Sequence, residues 1–243
     1  MKKSVFTVLD NEQIADRTFR MALSGDTGSI TAPGQFVNLA LEGKFLRRPI
    51  SVCDWTVGLL TIIYKVVGEG TDQMSRMKLG TEIDALSGLG NGYDLNTAGD
   101  RPLLIGGGAG VPPLYGLAKR LLANGIRPSV ILGFNTADEV FLAKEFRALD
   151  IPVAVVTADG SFGRKGLVTD VMPPQGYSYV YTCGPEPMLR AVYERSVTGG
   201  QFSFESRMGC GFGACMGCTC ETKFGHKRIC REGPVLEKEE IVW

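Results

Sequence analysis

Residues 210–220 read CGFGACMGCTC, and a further cysteine, Cys230, follows ten residues later. The chain has seven cysteines, so five of them are gathered at one end. The N-terminal stretch MKKSVFTVLDNEQ lacks the ~7–15-residue apolar run and the small-residue cleavage site of a secretory leader. The sequence reads as cytoplasmic, where thiols stay reduced, and clustered cysteines there point to metal rather than to disulfides. Cys210, Cys215, Cys218 and Cys230 give C-x4-C-x2-C-x11-C. The first three spacings are those of plant-type [2Fe–2S] proteins, whose fourth ligand arrives from further along. Structural zinc would more often show paired C-x2-C hooks, and only one is present. A Rieske centre needs two histidines, and the chain has only His226, which reads as a solvated loop residue. Cys220 follows Cys218 by two positions with one residue between them, and is expected to be a small buried hydrophobe rather than a ligand. Cys53 falls on an expected strand and is not counted among the ligands.

With 243 residues there is room for two compact domains and a small appendix. Twenty-six basic and twenty-six acidic residues cancel, which gives no general attraction to nucleic acid or to an anionic membrane. No apolar run approaches the ~18 residues of a membrane span. Residues 4–87 carry strand-like runs (SVFTVLD, RTFRMALS, QFVNLALE, PISVCD, LLTIIYKVV, TEIDALS), with one short helical stretch, TDQMSRMK. Such spacing predicts an antiparallel barrel or sandwich. LGNGYDLNTAGDR, rich in Gly and Asn, reads as a linker. From Arg101 short apolar strands alternate with helical stretches, which predicts a parallel sheet covered on both faces. The expected division is a barrel over 1–98, an α/β domain over 99–200 and a small cysteine-rich domain over 201–243.

A one-electron carrier needs company. GGGAGVPPLYGLAKR follows a strand directly, and its glycine turn (Gly106, Gly108, Gly110) opens a helix suited to a pyrophosphate. TCGPEPMLR, with Cys183 and Gly184, forms a second turn at a strand end where open α/β sheets bind ligands. A nicotinamide delivers two electrons at once and the cluster accepts one, so an intermediary is required, and a flavin is the usual choice. In RRPISV, Arg48 can hold a pyrophosphate bidentately and Ser51 can hydrogen-bond a flavin edge. GEGTDQM adds a glycine turn, with Thr71 expected as the cap of a short helix.

Taken in order, LRRPIS, GEGT, LGNGY, GGGAGVPPLY, CGPEPM and ESRMGCGFGACMGC…CREGPV resemble the ferredoxin–NADP reductase superfamily. Within it, the chain is most similar to the electron-transfer subunits of NAD-dependent dihydroorotate dehydrogenases, over essentially its full length. The resemblance implies FAD on the barrel, held by Arg48, Pro49, Ile50 and Ser51, by Ile63, Tyr64 and Lys65, and by Gly70 and Thr71. It also implies a [2Fe–2S] cluster on Cys210, Cys215, Cys218 and Cys230, and NAD on the α/β domain. The implied partner is an FMN-containing catalytic subunit that oxidises dihydroorotate to orotate in pyrimidine biosynthesis, two copies of each chain forming a heterotetramer. Electrons would pass from FMN to the cluster, to FAD and to NAD+, and no side-chain acid or base of this chain is required. Two departures stand out: no proline precedes LGNG, and Cys220 is extra. Rival readings are a ferredoxin- or sulfur-compound-reducing subunit that uses NADP, or a non-enzymatic redox regulator. Asp138 and Glu139, after the second α/β strand, with no arginine beside them, favour NAD.

Overall fold

The computed structural model describes residues 1–243. Six strands close an antiparallel barrel: β1 (Lys2–Ala15), β2 (Thr18–Ser24), β3 (Phe36–Leu39), β4 (Arg48–Thr56), β5 (Leu59–Lys65) and β6 (Glu82–Leu89), in the order β1-β2-β5-β4-β3-β6. Alternate residues fill its interior: Met21 and Leu23, Val37 and Leu39, Leu60 and Ile62, Ile83 and Ala85. This is the period of two that a half-buried strand imposes. The short helix α1 (Glu69–Ser75) closes one end through the fully buried Met74.

The second sheet has seven strands, in the order β10-β9-β8-β7-β11-β12-β15. They are β7 (Leu103–Gly107), β8 (Ser129–Phe134), β9 (Val153–Thr157), β10 (Arg164–Lys165), β11 (Val180–Cys183), β12 (Gly200–Ser203) and β15 (Val235–Glu237). All pair in parallel except β15, which joins β12 antiparallel. Helices α2 (Val111–Ala123) and α3 (Ala143–Ala148) pack on one side, α4 (Val168–Val171) and α5 (Glu186–Arg195) on the other. Between β12 and β15 lies the cysteine segment, with a hairpin of β13 (Thr219–Thr222) and β14 (Gly225–Arg228).

The barrel is fastened to the parallel sheet. Cys53 and Ile63 leave the barrel wall and join the apolar cluster around α2. Arg120 donates to Asp54 at 2.8 Å and stacks on Trp55, 3.6 Å from the ring centroid. Both contacts cross from α2 to β4.

Several expectations need correction. His226 lies in β14, opposite Glu221, rather than in a loop, though it is exposed as expected. The cysteine-rich tail supplies two strands to the parallel sheet, and the expected 200/201 division falls inside β12. The presumed linker is a keystone. Tyr93 is buried and donates to the Thr182 carbonyl at 3.0 Å. Asn91 gives its backbone N–H to the Gly233 carbonyl and its side-chain amide to the carbonyls of Glu232 and Val235, and accepts from the Val235 N–H. Gly and Asn are abundant there because the backbone turns tightly while bonding to distant segments. Asn91→Ala should cost about 1–2 kcal/mol, a fall in Tm of roughly 2–8 °C in a thermal melt.

Candidate functional site

One recess opens on the barrel, one at the ends of the parallel strands, and one where barrel, sheet and cysteine segment come together. The first is an open cleft lined by Arg48 and by Val67–Thr71. Thr71 lies in the first turn of α1 rather than at its cap, which is Gly68. Its hydroxyl accepts from the Val67 and Gly68 N–H groups, at 2.9 and 3.3 Å. The cap shifts back because the Thr71 hydroxyl, placed inside the first turn, reaches back to the Gly68 N–H and carbonyl. Arg48 leans on this turn so closely that a Cβ at Gly70 would overlap its guanidinium.

A second recess takes its lining from all three parts: Phe36, Pro49 and Ser51 from the barrel, Cys183 from β11, and Ser203–Ser206, Met208 and Pro234 from the tail. Of the expected flavin residues, Pro49 and Ser51 border it, whereas the Ile50 side chain packs against the barrel interior. Burial pushes the Cys183 thiol up to about 12, so it stays protonated beside the recess. Desolvation raises the Glu205 carboxyl. Phe36, Ser203, Glu205 and Met208 were not foreseen. Phe36 and Ser203 lie in no motif, and the ESRMGC run gave Glu205 and Met208 no role; only the packing of β12 beside β11 brings the last three to β4.

The third recess is a cleft of about 370 Å³ at the carboxyl ends of the parallel strands. Gly107, Gly108, Gly133, Ala158, Gly166 and Met188 are among its lining. Of the three glycines expected here, Gly108 faces the cleft, while Gly106 and Gly110 are buried beneath it. A Cβ at Gly110 would overlap the Cys183 carbonyl and the Gly184 nitrogen, so glycine is what lets the two turns touch. Ile63, Tyr64 and Lys65 line a small gap between barrel and sheet, together with Gly108, Phe134 and Glu139. Lys65 pairs with Glu139 at 2.7 Å. Burial alone would raise the Glu139 carboxyl, but hydrogen bonds from Lys65 and Asn135 hold it below the usual range. Glu139 also lines the strand-end cleft and is engaged across the domain boundary by Lys65, while Asp138 is exposed.

The four candidate ligands form two hydrogen-bonded pairs. The Cys210 N–H points to Cys215 Sγ and the Cys215 N–H to Cys210 Sγ, both at 3.4 Å. The N–H groups of Phe212 and Ala214 add to Cys210 Sγ at 3.5 and 3.2 Å. Burial opposes ionisation of Cys210, yet the N–H donors of Phe212, Cys215 and Ala214 outweigh it and bring the thiol down to about 6. The Cys230 N–H points to Cys218 Sγ at 3.4 Å, and both residues are buried. Nowhere do three or more His, Cys, Asp or Glu side chains converge on a single ion position. Four N–H donors ring the sulfurs of Cys210 and Cys215 and one points to Cys218, an environment suited to thiolates that ligate iron. Cys220 sits in β13, half-buried against the apolar cluster under the sheet, and burial raises its thiol.

Residues 205–242 match the iron–sulfur cluster binding domain of dihydroorotate dehydrogenase B, and residues 104–194 the oxidoreductase NAD-binding domain. The chain is 45% identical to the dihydroorotate dehydrogenase B (NAD(+)) electron transfer subunit of Fusobacterium nucleatum, covering 99% of each. It is 42% identical to that of Geobacillus thermodenitrificans, covering 97% of each. A solved NADH-dependent reduced ferredoxin-NADP oxidoreductase superposes with a TM-score of 0.88 at 29% identity, over 98% of this chain and 90% of that one. A ferredoxin NADP+ reductase from Neisseria gonorrhoeae, solved with FAD and NADP, shares the fold with a TM-score of 0.70 at 16% identity, over 80% of this chain and 90% of that one.

Proposed function

The chain belongs to the family of electron transfer subunits of NAD-dependent dihydroorotate dehydrogenase B, and from that premise we propose that it holds FAD across the first two recesses, NAD in the third and a [2Fe–2S] cluster on Cys210, Cys215, Cys218 and Cys230. It is an oxidoreductase subunit with an NAD-binding and an iron–sulfur-binding domain. The observation that carries the finer assignment is the central recess, whose wall is drawn from the barrel, from β11 and from the cysteine segment. A group seated there is the neighbour of both other sites. A flavin, when bound, exchanges hydride with a nicotinamide and single electrons with an iron–sulfur cluster.

The residues of this chain bind, orient and shield. Arg48 offers its guanidinium to a pyrophosphate, and the α1 turn offers N–H groups beside it. Ser51 supplies a hydroxyl to a ring edge. Gly107 and Gly108 let a nicotinamide nucleotide approach the backbone at the strand ends. N–H groups around Cys210 favour its thiolate, and backbone donors to ligand sulfur raise the potential of a site by stabilising added negative charge. No acid or base of this chain is needed to move a proton to or from dihydroorotate. That chemistry belongs to the partner, a catalytic subunit carrying FMN, in an assembly of two copies of each chain.

The purified chain alone should oxidise NADH with an artificial acceptor and show no dihydroorotate oxidation. Mixed with the catalytic subunit, it should confer dihydroorotate-dependent reduction of NAD+. A chain that turns over neither NADH alone nor dihydroorotate in the mixture would refute the proposal.

A further inference from the structure

On β3, Phe36 and Asn38 are two residues apart, so their side chains leave the same face of the barrel. Phe36 pairs with Ser51 and Asn38 with Pro49, and Phe36, Ser51 and Pro49 all line the central recess. Asn38 thus stands in the wall that carries the recess. It is 1% exposed, and its Nδ2 donates to the Cys210 carbonyl at 3.2 Å, a contact spanning 172 residues of sequence. The approach is tight, since a Cβ at Gly211 would overlap the amide. From the barrel side, Arg47 donates to the Asn38 backbone carbonyl at 3.3 Å and pairs with Asp84. The amide Oδ1 has no donor within the chain.

Burying an amide costs free energy unless its bonds are made, and half of this one is unmade. Leucine would occupy nearly the same volume without that cost. Packing alone therefore does not account for an asparagine here, whereas a directional bond to the first cluster ligand does.

We propose that Asn38 is a positioning residue whose amide fixes Cys210 against the wall of the central recess, so that the cluster loop and the flavin site share one rigid frame. This rests on the assignment of cluster and flavin made above. Without the amide the loop around Cys210 would open more often and the cluster would sample several environments. The orphan Oδ1 would be lost together with the bond, so the effect on global stability is small while the local effect is not.

The test compares the full-length protein, as purified with its cofactors, with Asn38→Leu and Asn38→Asp. Leucine keeps the volume and removes both halves of the amide; aspartate keeps the shape and removes the donor. Hydrogen exchange across residues 209–215 should speed up about three- to tenfold in both, the equivalent of one net hydrogen bond. The electron paramagnetic resonance signal of the reduced cluster should broaden, a signature that loss of packing elsewhere would not produce. Wild-type exchange and an unbroadened signal in Asn38→Leu would overturn the proposal. Should the leucine variant fail to fold, the same two readings on Asn38→Asp decide. If the wild-type protein itself gave no cluster signal, the cofactor assignment would fall instead, and exchange across 209–215 would still decide whether the amide holds the loop.

Discussion

Cys218→Ser is expected to lose the visible absorption of the cluster and most of its iron, whereas Cys220→Ser should keep iron near the wild-type level. The two residues differ in what surrounds their sulfur. Cys218 is 2% exposed, and the Cys230 N–H points at its sulfur from 3.4 Å. Cys230 in turn is buried, and burial together with the neighbouring Cys218 pushes its thiol up to about 12. A thiol placed like that of Cys230 is unfavourable to ionise by itself and gains most from a metal that takes up its charge. Serine at 218 would leave iron with a harder, more basic oxygen and Cys230 without its partner. Cys220 faces Lys227 across the hairpin and packs on the apolar cluster beneath the sheet. Its loss removes a small hydrophobe, at a cost on the order of 1 kcal/mol. Iron and acid-labile sulfide assays on both variants, with Cys230→Ser as a third, check the ligand set. Iron lost from Cys220→Ser but kept in Cys230→Ser would mean that the fourth ligand has been misassigned.

Arg48→Ala should weaken FAD by about one to two decades, since a charge-assisted contact is worth roughly 1.5–3 kcal/mol. The local structure makes Arg48 a prepared group. Its Nη1 donates to the Leu46 carbonyl at 2.6 Å, and its guanidinium rests on Gly70 in the first turn of α1. Part of the ordering cost of a long side chain is thereby met before any ligand arrives. Gly70→Ala provides an independent test, because its methyl would displace the guanidinium without removing its charge. Both variants should elute from a gel-filtration column with substoichiometric flavin, and titration with FAD should recover it at higher concentration. Full, tightly held FAD in Arg48→Ala would remove the residue from the site. Retention of FMN in place of FAD would show that the pyrophosphate is not what Arg48 recognises.

Local pattern carried a great deal of this protein. The alternation in runs such as FRMALS and EIDALS specifies strands with one buried face, and the glycine turn after LLI specifies a strand–helix unit, because both depend on neighbours a few residues away. The spacing of Cys210, Cys215 and Cys218 is likewise local, and so was the ligand chemistry it implied. Tertiary structure decided the rest, and in each case the partner lies far along the chain. Glu139, read from its own segment as favouring NAD, lines the strand-end cleft and is also held by Lys65, 74 residues earlier. The segment 89–101 looks like a flexible connection in composition, yet Asn91 and Tyr93 find partners in residues 182 and 232–235. Ser51, Cys183 and Glu205 share a recess only because β12 continues the sheet beside β11 and brings the tail over β4. Sequence fixes which side chains are able to donate, accept or ligate. Which donor meets which acceptor is set by the closure of the barrel and the order of strands, and those are long-range free energies that no short window contains.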